Sequence, residues 1–144
     1  MPKISASATV PHSPQQMYDL VVDMDSYPKF LPWCVHATKS EETETQFLSE
    51  MTVSFKGIRQ TFHTIDYLEP GRKVEIKHRS GPFKRLESVW TFSPVSGGGA
   101  RVDFTIDFLF SNTLMNVTLG PLFAQASKQM VAAFRNRAQA IYQL

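Results

Sequence analysis

Residues 101–108 alternate strictly: Val102, Phe104, Ile106 and Phe108, with Phe110 beyond them, fall on one parity, and Arg101, Asp103, Thr105 and Asp107 on the other. A strand places alternate side chains on opposite faces, so this run has one apolar and one wet face, as in an antiparallel sheet solvated on one side. Five large apolar groups on one face need a second layer to cover them. The following segment offers one. Leu119, Leu122, Phe123, Ala126, Met130, Ala133, Phe134 and Ile141 recur at the i, i+3, i+4, i+7 spacing of an amphipathic helix. Gly120-Pro121 should kink or restart that helix, because Pro121 has no N–H for the Val117 carbonyl and its ring crowds it. A helix from about Pro121 to Tyr142 is ~33 Å long at 1.5 Å per residue, enough to cross a curved sheet.

The chain before this pair reads as further strands and two short helices. Ile4, Ala6, Ala8 and Val10 alternate with polar residues in a first strand over 3–10. Ser13-Pro14-Gln15-Gln16 combines an N-cap, a proline suited to the first helical position and a capping-box glutamine, with Met17, Leu20 and Val21 on one side of the helix that follows. Pro28 opens a second helical turn, which Pro32 closes. Beyond Trp33, turn signals at 41–45, Lys56-Gly57, Glu69-Pro70-Gly71, Ser80-Gly81-Pro82 and 96–99 divide the chain into six strands joined as a meander. Phe47, Met51, Val53 and Phe55 share one face of one strand, and Val74, Ile76 and His78 one face of another. The expected architecture is α+β: a curved antiparallel sheet of about seven strands around a long C-terminal helix, with two short helices after strand one, in one domain over 1–144.

A chain of 144 residues buries roughly 70% of the surface its unfolded form exposes, so it needs no disulfide or metal to fold. The single cysteine, Cys34, and an N-terminus without an apolar signal core point to the cytoplasm, with at most peripheral contact at a membrane. Residues 1–55 carry three basic and seven acidic groups, residues 56–144 twelve and six. Much of the basic excess lies between Arg72 and Arg85, where Arg72, Lys73, Lys77, Arg79, Lys84 and Arg85 form a candidate contact for phosphate on lipid or RNA, with Lys56 and Arg59 beside them. Charge runs of this kind are more often a solvated strand face.

Motifs for catalysis are lacking. There is no Gly-x-Ser-x-Gly elbow, no His-Glu-x-x-His and no Cys-x-x-Cys, so neither a nucleophilic site nor a metal site is expected. Cys34 and His36 would share a strand face, but a buried, inert cysteine is the expected state. His63 and His78 sit where they could oppose each other across the hairpin at Glu69-Pro70-Gly71, and two histidines do not make a zinc site. Asp103 and Asp107 fall on the solvent parity, which argues against a buried acid/base pair. Gly97-Gly98-Gly99 lies between strands, whereas a phosphate loop opens a helix. The chain is expected to bind rather than to catalyse.

The run Ser26-Tyr27-Pro28-Lys29-Phe30-Leu31-Pro32-Trp33-Cys34 resembles the hallmark of the coenzyme-Q-binding branch of the START-like superfamily, also labelled polyketide cyclase/dehydrase. Gly81-Pro82-Phe83-Lys84-Arg85-Leu86, Trp90-Thr91-Phe92, Asp107-Phe108 and Met130-Val131-Ala132-Ala133-Phe134 resemble the same family in the same order. The resemblance implies the helix-grip fold, also called START/Bet v 1-like, and two roles. One is binding of ubiquinone or a related isoprenoid lipid, in support of respiration or quinone biosynthesis. The other, from a bacterial branch of toxins, is binding to the ribosome, with the large subunit as partner, so that subunit association is blocked. A cyclase or dehydratase is a third reading that rests on the superfamily label alone. For the first role, Phe104, Phe108, Trp90, Phe123, Met130 and Phe134, with Phe62, are expected around the ligand. Tyr27, Phe30, Leu31, Pro32 and Trp33 are expected at the rim. No cofactor and no DNA contact is expected.

Overall fold

A computed structural model describes residues 3–142. Strand β1 (Lys3–Val10) leads into helix α1 (Pro14–Val22), a 3₁₀ turn over Met24–Ser26 and the single turn α2 (Tyr27–Phe30). Six strands follow: β2 (Cys34–Ser40), β3 (Gln46–Phe55), β4 (Ile58–Glu69), β5 (Lys73–Ser80), β6 (Phe83–Pro94) and β7 (Ala100–Phe110). They pair antiparallel in the order β1-β7-β6-β5-β4-β3-β2, so β2 to β7 form a meander and β1 closes on the last strand made. Helices α1 and α2 carry the chain from one edge of the sheet to the other.

Local chemistry accounts for these boundaries. The Ser13 hydroxyl accepts from the Gln16 N–H at 3.1 Å while the Gln16 side chain accepts from the Ser13 N–H at 2.9 Å, the reciprocal box expected from the sequence. Phe55 pairs with Ile58 across a two-residue loop whose members, Lys56 and Gly57, both have positive φ, of 52° and 81°. That is the backbone a two-residue hairpin loop needs to match strand twist. At the β5–β6 turn Gly81 has φ 132°, and a Cβ there would stand 2.6 Å from the Cβ of Phe62, so only glycine lets the turn fold down on β4.

The C-terminal segment is three helices instead of one: α3 (Thr113–Thr118), α4 (Gly120–Lys128) and α5 (Met130–Ile141). Helix α4 begins at Gly120-Pro121, as the missing N–H requires. The second interruption, at Gln129, has no counterpart in the sequence expectation. Its N–H bonds to Ala126 three residues back, at 3.1 Å, and the Ser127 hydroxyl bonds to the Phe123 carbonyl at 2.8 Å, a back-bond that bends helices. Val131, Phe134 and Ala138 form the buried stripe of α5, whereas Ile141, assigned to that stripe by spacing, is 47% exposed. Helix α3 is held by Asn112, whose side chain accepts from the Met115 N–H, and by Asn116, which bonds both the N–H and the carbonyl of Phe110 at 2.9 Å.

Between the sheet and α1, α4 and α5 lies an aromatic core. Trp90 packs on Phe104 at 4.5 Å, Phe134 at 5.0 Å and Phe92 at 6.3 Å between ring centres. A second group joins Phe83, Phe108, Phe110 and Phe123. No helix among the described residues is long and apolar enough to cross a membrane.

Candidate functional site

The two aromatic groups leave a gap between them. A cavity of about 80 Å³ lies between the concave face of the sheet and the C-terminal helices. That is room for several waters or one compact ring, but less than the roughly 300 Å³ at which pockets take a drug-sized molecule whole. A longer ligand must therefore leave part of itself outside. Of the eighteen residues on its wall, Trp33, Ile76 and Met130 are half-buried and the rest buried. Trp33 stands on the loop that Pro32 and Leu31 restrict, stacks on Phe55 with centres 6.1 Å apart, and faces α4 and α5. The loop after α2 and the C-terminal helices thus form the rim.

The wall is mostly apolar: Met24, Met51, Phe62, Leu86, Phe104 and Ile106 among others. Four polar side chains interrupt it from the sheet side: Ser49 on β3, Thr64 and Asp66 on β4, and Ser88 on β6. Three form a directed chain. Thr64 donates its hydroxyl proton to Asp66 Oδ1 at 2.6 Å, which leaves the Thr64 oxygen to accept from Ser49 at 2.5 Å. Asp66 is 2% exposed. Burial pushes its carboxyl up to about 7, against the Thr64 hydrogen bond, which acts the other way. No Lys, Arg or His belongs to the wall.

Seven of the twelve positions expected to meet a ligand lie on this wall: Tyr27, Trp33, Phe62, Trp90, Phe104, Phe123 and Met130. The other five do not. Leu31, Phe108 and Phe134 are packed behind it, at no more than 1% exposure. Phe30 lies edge-on to Tyr27 and Phe134 with the Arg137 guanidinium 5.2 Å over its ring, and Pro32 faces solvent. Strand parity identified the apolar faces, but it gives no depth and cannot tell a wall from the layer behind it. Asp66, Thr64 and Ser49 were missed, although Thr64 and Asp66 share parity with Phe62, and Ser49 with Phe47 and Met51.

The remaining candidates separate. A bulge between Cys34 and His36 puts them on different faces. Cys34 is buried and its thiol is pushed up to about 11, while His36 bonds Glu50 at 2.9 Å on the outer face. His63 and His78 do not meet either, because His63 pairs with Ser80 and bonds Glu50 at 3.0 Å, whereas His78 packs on Phe83. Asp103 and Asp107 sit on the outer face with Arg101 and Arg85. The basic run is partly neutralised there: Arg72 pairs with Glu69, Lys77 with Glu87 at 3.8 Å and Arg85 with Asp107 at 3.1 Å. Among the described residues Lys73, Arg79 and Lys84 form no ion pair; Arg79 and Lys84 are exposed and Lys73 half-buried.

Comparison with known proteins agrees with this architecture. The ribosome association toxin RatA of Escherichia coli K12 is 40% identical over 142 residues, which is 99% of this chain and 90% of that protein. The mitochondrial coenzyme Q-binding protein COQ10 homolog B of Xenopus laevis is 31% identical over 96% of this chain and 58% of its own length. The solution structure of the 18 kDa protein CC1736 from Caulobacter crescentus superposes with a TM-score of 0.78 at 29% identity, covering both chains completely. A family profile described as polyketide cyclase / dehydrase and lipid transport matches residues 10–135. With a START-type sheet grip, a cavity under its C-terminal helices and that match across most of its length, the chain belongs to the polyketide cyclase/dehydrase and lipid transport family.

Proposed function

We propose that the chain binds a largely apolar small molecule in this cavity and releases it unchanged. The carrying observation is a void between sheet and helices, apolar over most of its wall and interrupted by a few polar groups, the usual design of a small-molecule site. Binding without turnover is supported by the wall itself, which holds one carboxyl and no histidine, cysteine or lysine. An isoprenoid quinone is the ligand class favoured by the likeness to the coenzyme Q-binding protein. Its ring would enter and its tail would run out past Trp33 and Met130, which implies collection from a membrane surface by peripheral contact.

Organic extraction of the purified protein followed by mass spectrometry should recover a quinone or similar neutral lipid. Ala126→Phe places a ring inside the cavity from α4 and should reduce recovery by roughly tenfold or more with circular dichroism unchanged. Equal recovery from both proteins would place the lipid elsewhere and sink the reading.

A second role at the ribosome is favoured by the relative named RatA, which matches at higher identity and over nearly the whole chain. Lys56, Arg59, Arg79 and Lys84 are exposed cations suited to RNA phosphate. In gradients of cell extract at low magnesium, added protein should shift assembled ribosomes to free subunits, and Arg79→Glu with Lys84→Glu should weaken that shift several-fold. No shift at any salt concentration would remove this role and leave ligand binding standing.

A further inference from the structure

Asp66 differs from the other polar groups of the cavity in having capacity left over. Its Oδ1 is occupied by Thr64, and its Oδ2 has no hydrogen-bond partner among the described residues. A carboxyl so far withdrawn from solvent cannot leave an oxygen idle without cost unless something in the cavity meets it. The chain from Ser49 through Thr64 fixes the orientation of Asp66, because each hydroxyl donates toward the carboxyl. What reaches Oδ2 must therefore come from within the void.

We propose that Asp66 is the specificity-determining residue of the cavity, donating a hydrogen bond from a protonated Oδ2 to a carbonyl oxygen on a neutral ring, so that the site takes quinone-like ligands and rejects acids and amines of the same length. This rests on the cavity being the ligand site. The exclusions follow from the wall. An acid head would bring a second negative group beside Asp66 with no Lys, Arg or His to offset it. An amine would need Asp66 ionised, and burial opposes that until pH passes about 7. A carbonyl asks only for a donor, which the neutral carboxyl supplies.

The neighbours leave Asp66 as the group that titrates. Helix α2 brings Tyr27, whose hydroxyl donates to the Val21 carbonyl and whose phenol burial holds well above its usual range. The start of β2 brings Cys34, pushed up to about 11. Asp23, before the 3₁₀ turn, is exposed and is not on the wall. Strand β3 contributes Phe47 and Ser49, β5 contributes Ile76, β6 Ser88, β7 Phe104 and Ile106, and α4 and α5 Ser127 and Met130, none of them charged. His78, farther along β5, packs on Phe83 and is not on the wall.

The test uses three probes with one tail: decyl-trimethyl-1,4-benzoquinone, decanoic acid and decylamine. The fully substituted ring gives Cys34 no open carbon to attack. Trp33 and Trp90 line the cavity, so their fluorescence should be quenched by the quinone, and calorimetry reads all three probes. The quinone should bind about tenfold more tightly at pH 6 than at pH 8, following the fraction of Asp66 that is protonated. Asp66→Asn keeps a donor and should bind with no pH dependence, while Asp66→Leu should lose at least tenfold at pH 6. Decanoic acid and decylamine should bind at least tenfold more weakly than the quinone. Quinone binding that Ala126→Phe removes, but that neither pH nor Asp66→Leu alters, would overturn the role of Asp66 and leave the cavity as the site. Quinone binding indifferent to Ala126→Phe would overturn both. Decylamine that binds as tightly as the quinone at pH 6 would make Asp66 an ionised counter-ion and overturn the donor assignment.

Discussion

Asp66→Asn should make the protein more stable above neutrality and change little in acid. An aspartate in an unfolded chain titrates near 3.9, whereas in the fold burial raises this one to about 7. The folded state therefore holds the proton more tightly, and stability falls as pH rises between those two values. Below about pH 4 both states are protonated and the cost is absent; above pH 7 it is fully developed. The difference between the two titration points corresponds to ~4 kcal/mol, an upper figure because water entering the cavity would relieve part of it. Asparagine keeps an oxygen for the Thr64 hydroxyl and carries no charge to bury. Urea denaturation of both proteins from pH 4 to pH 8 should show the variant's advantage growing with pH. Glu50 and Glu69, whose carboxyls are held low by His63 and by Arg72 respectively, contribute equally to both proteins and cancel. Parallel stability curves would mean that Asp66 is not buried as described.

Trp90→Ala should cost ~3–5 kcal/mol, the range for removing a large aromatic side chain from a packed core. Trp90 is 1% exposed and touches β6, β7 and α5 through Phe92, Phe104 and Phe134, so one truncation loosens the sheet from its helix. It also borders the cavity, and the space it vacates would join an existing void instead of closing. At this chain length the melting temperature should fall by on the order of 10 °C. Trp33→Ala provides the contrast: that ring is half-buried and stacked on Phe55, and its loss should cost ~1 kcal/mol while leaving the rim open. A Trp90→Ala protein that melts with its parent would contradict the packing described.

Alternation and punctuation sufficed for the sheet because both are local. The parity of Val102 to Phe110 follows from the pleat, and Lys56-Gly57 or Ser80-Gly81-Pro82 carries its turn in its own backbone preferences. Gly120-Pro121 was readable for the same reason. Gln129 was not, since nothing in its own chemistry breaks a helix; the bend involves the Ser127 hydroxyl and shows once the backbone is in place. The polar floor of the cavity was hidden for a different reason. Ser49, Thr64 and Asp66 share the apolar parity of β3 and β4, and alternation alone reads a polar residue there as a break in the pattern. Depth was the remaining gap. Phe104 and Phe108 are equivalent in the sequence pattern, yet one borders the void and the other is sealed behind it, and only the curvature of the sheet and the bend of the helices decide which.

Six of the seven strands find a partner made immediately before or after them, but β1 pairs with β7, Lys3 against Asp107 and Val10 against Ala100. At the usual pace of translation, about 5–20 residues per second, β1 waits several seconds after it is made for its mate. Through that interval both its edges are bare, while the hairpins from β2 onward assemble beside it. Closure of the sheet is thus the slow, long-range event of folding, and the nascent chain is most open to capture by a chaperone before Phe110 emerges.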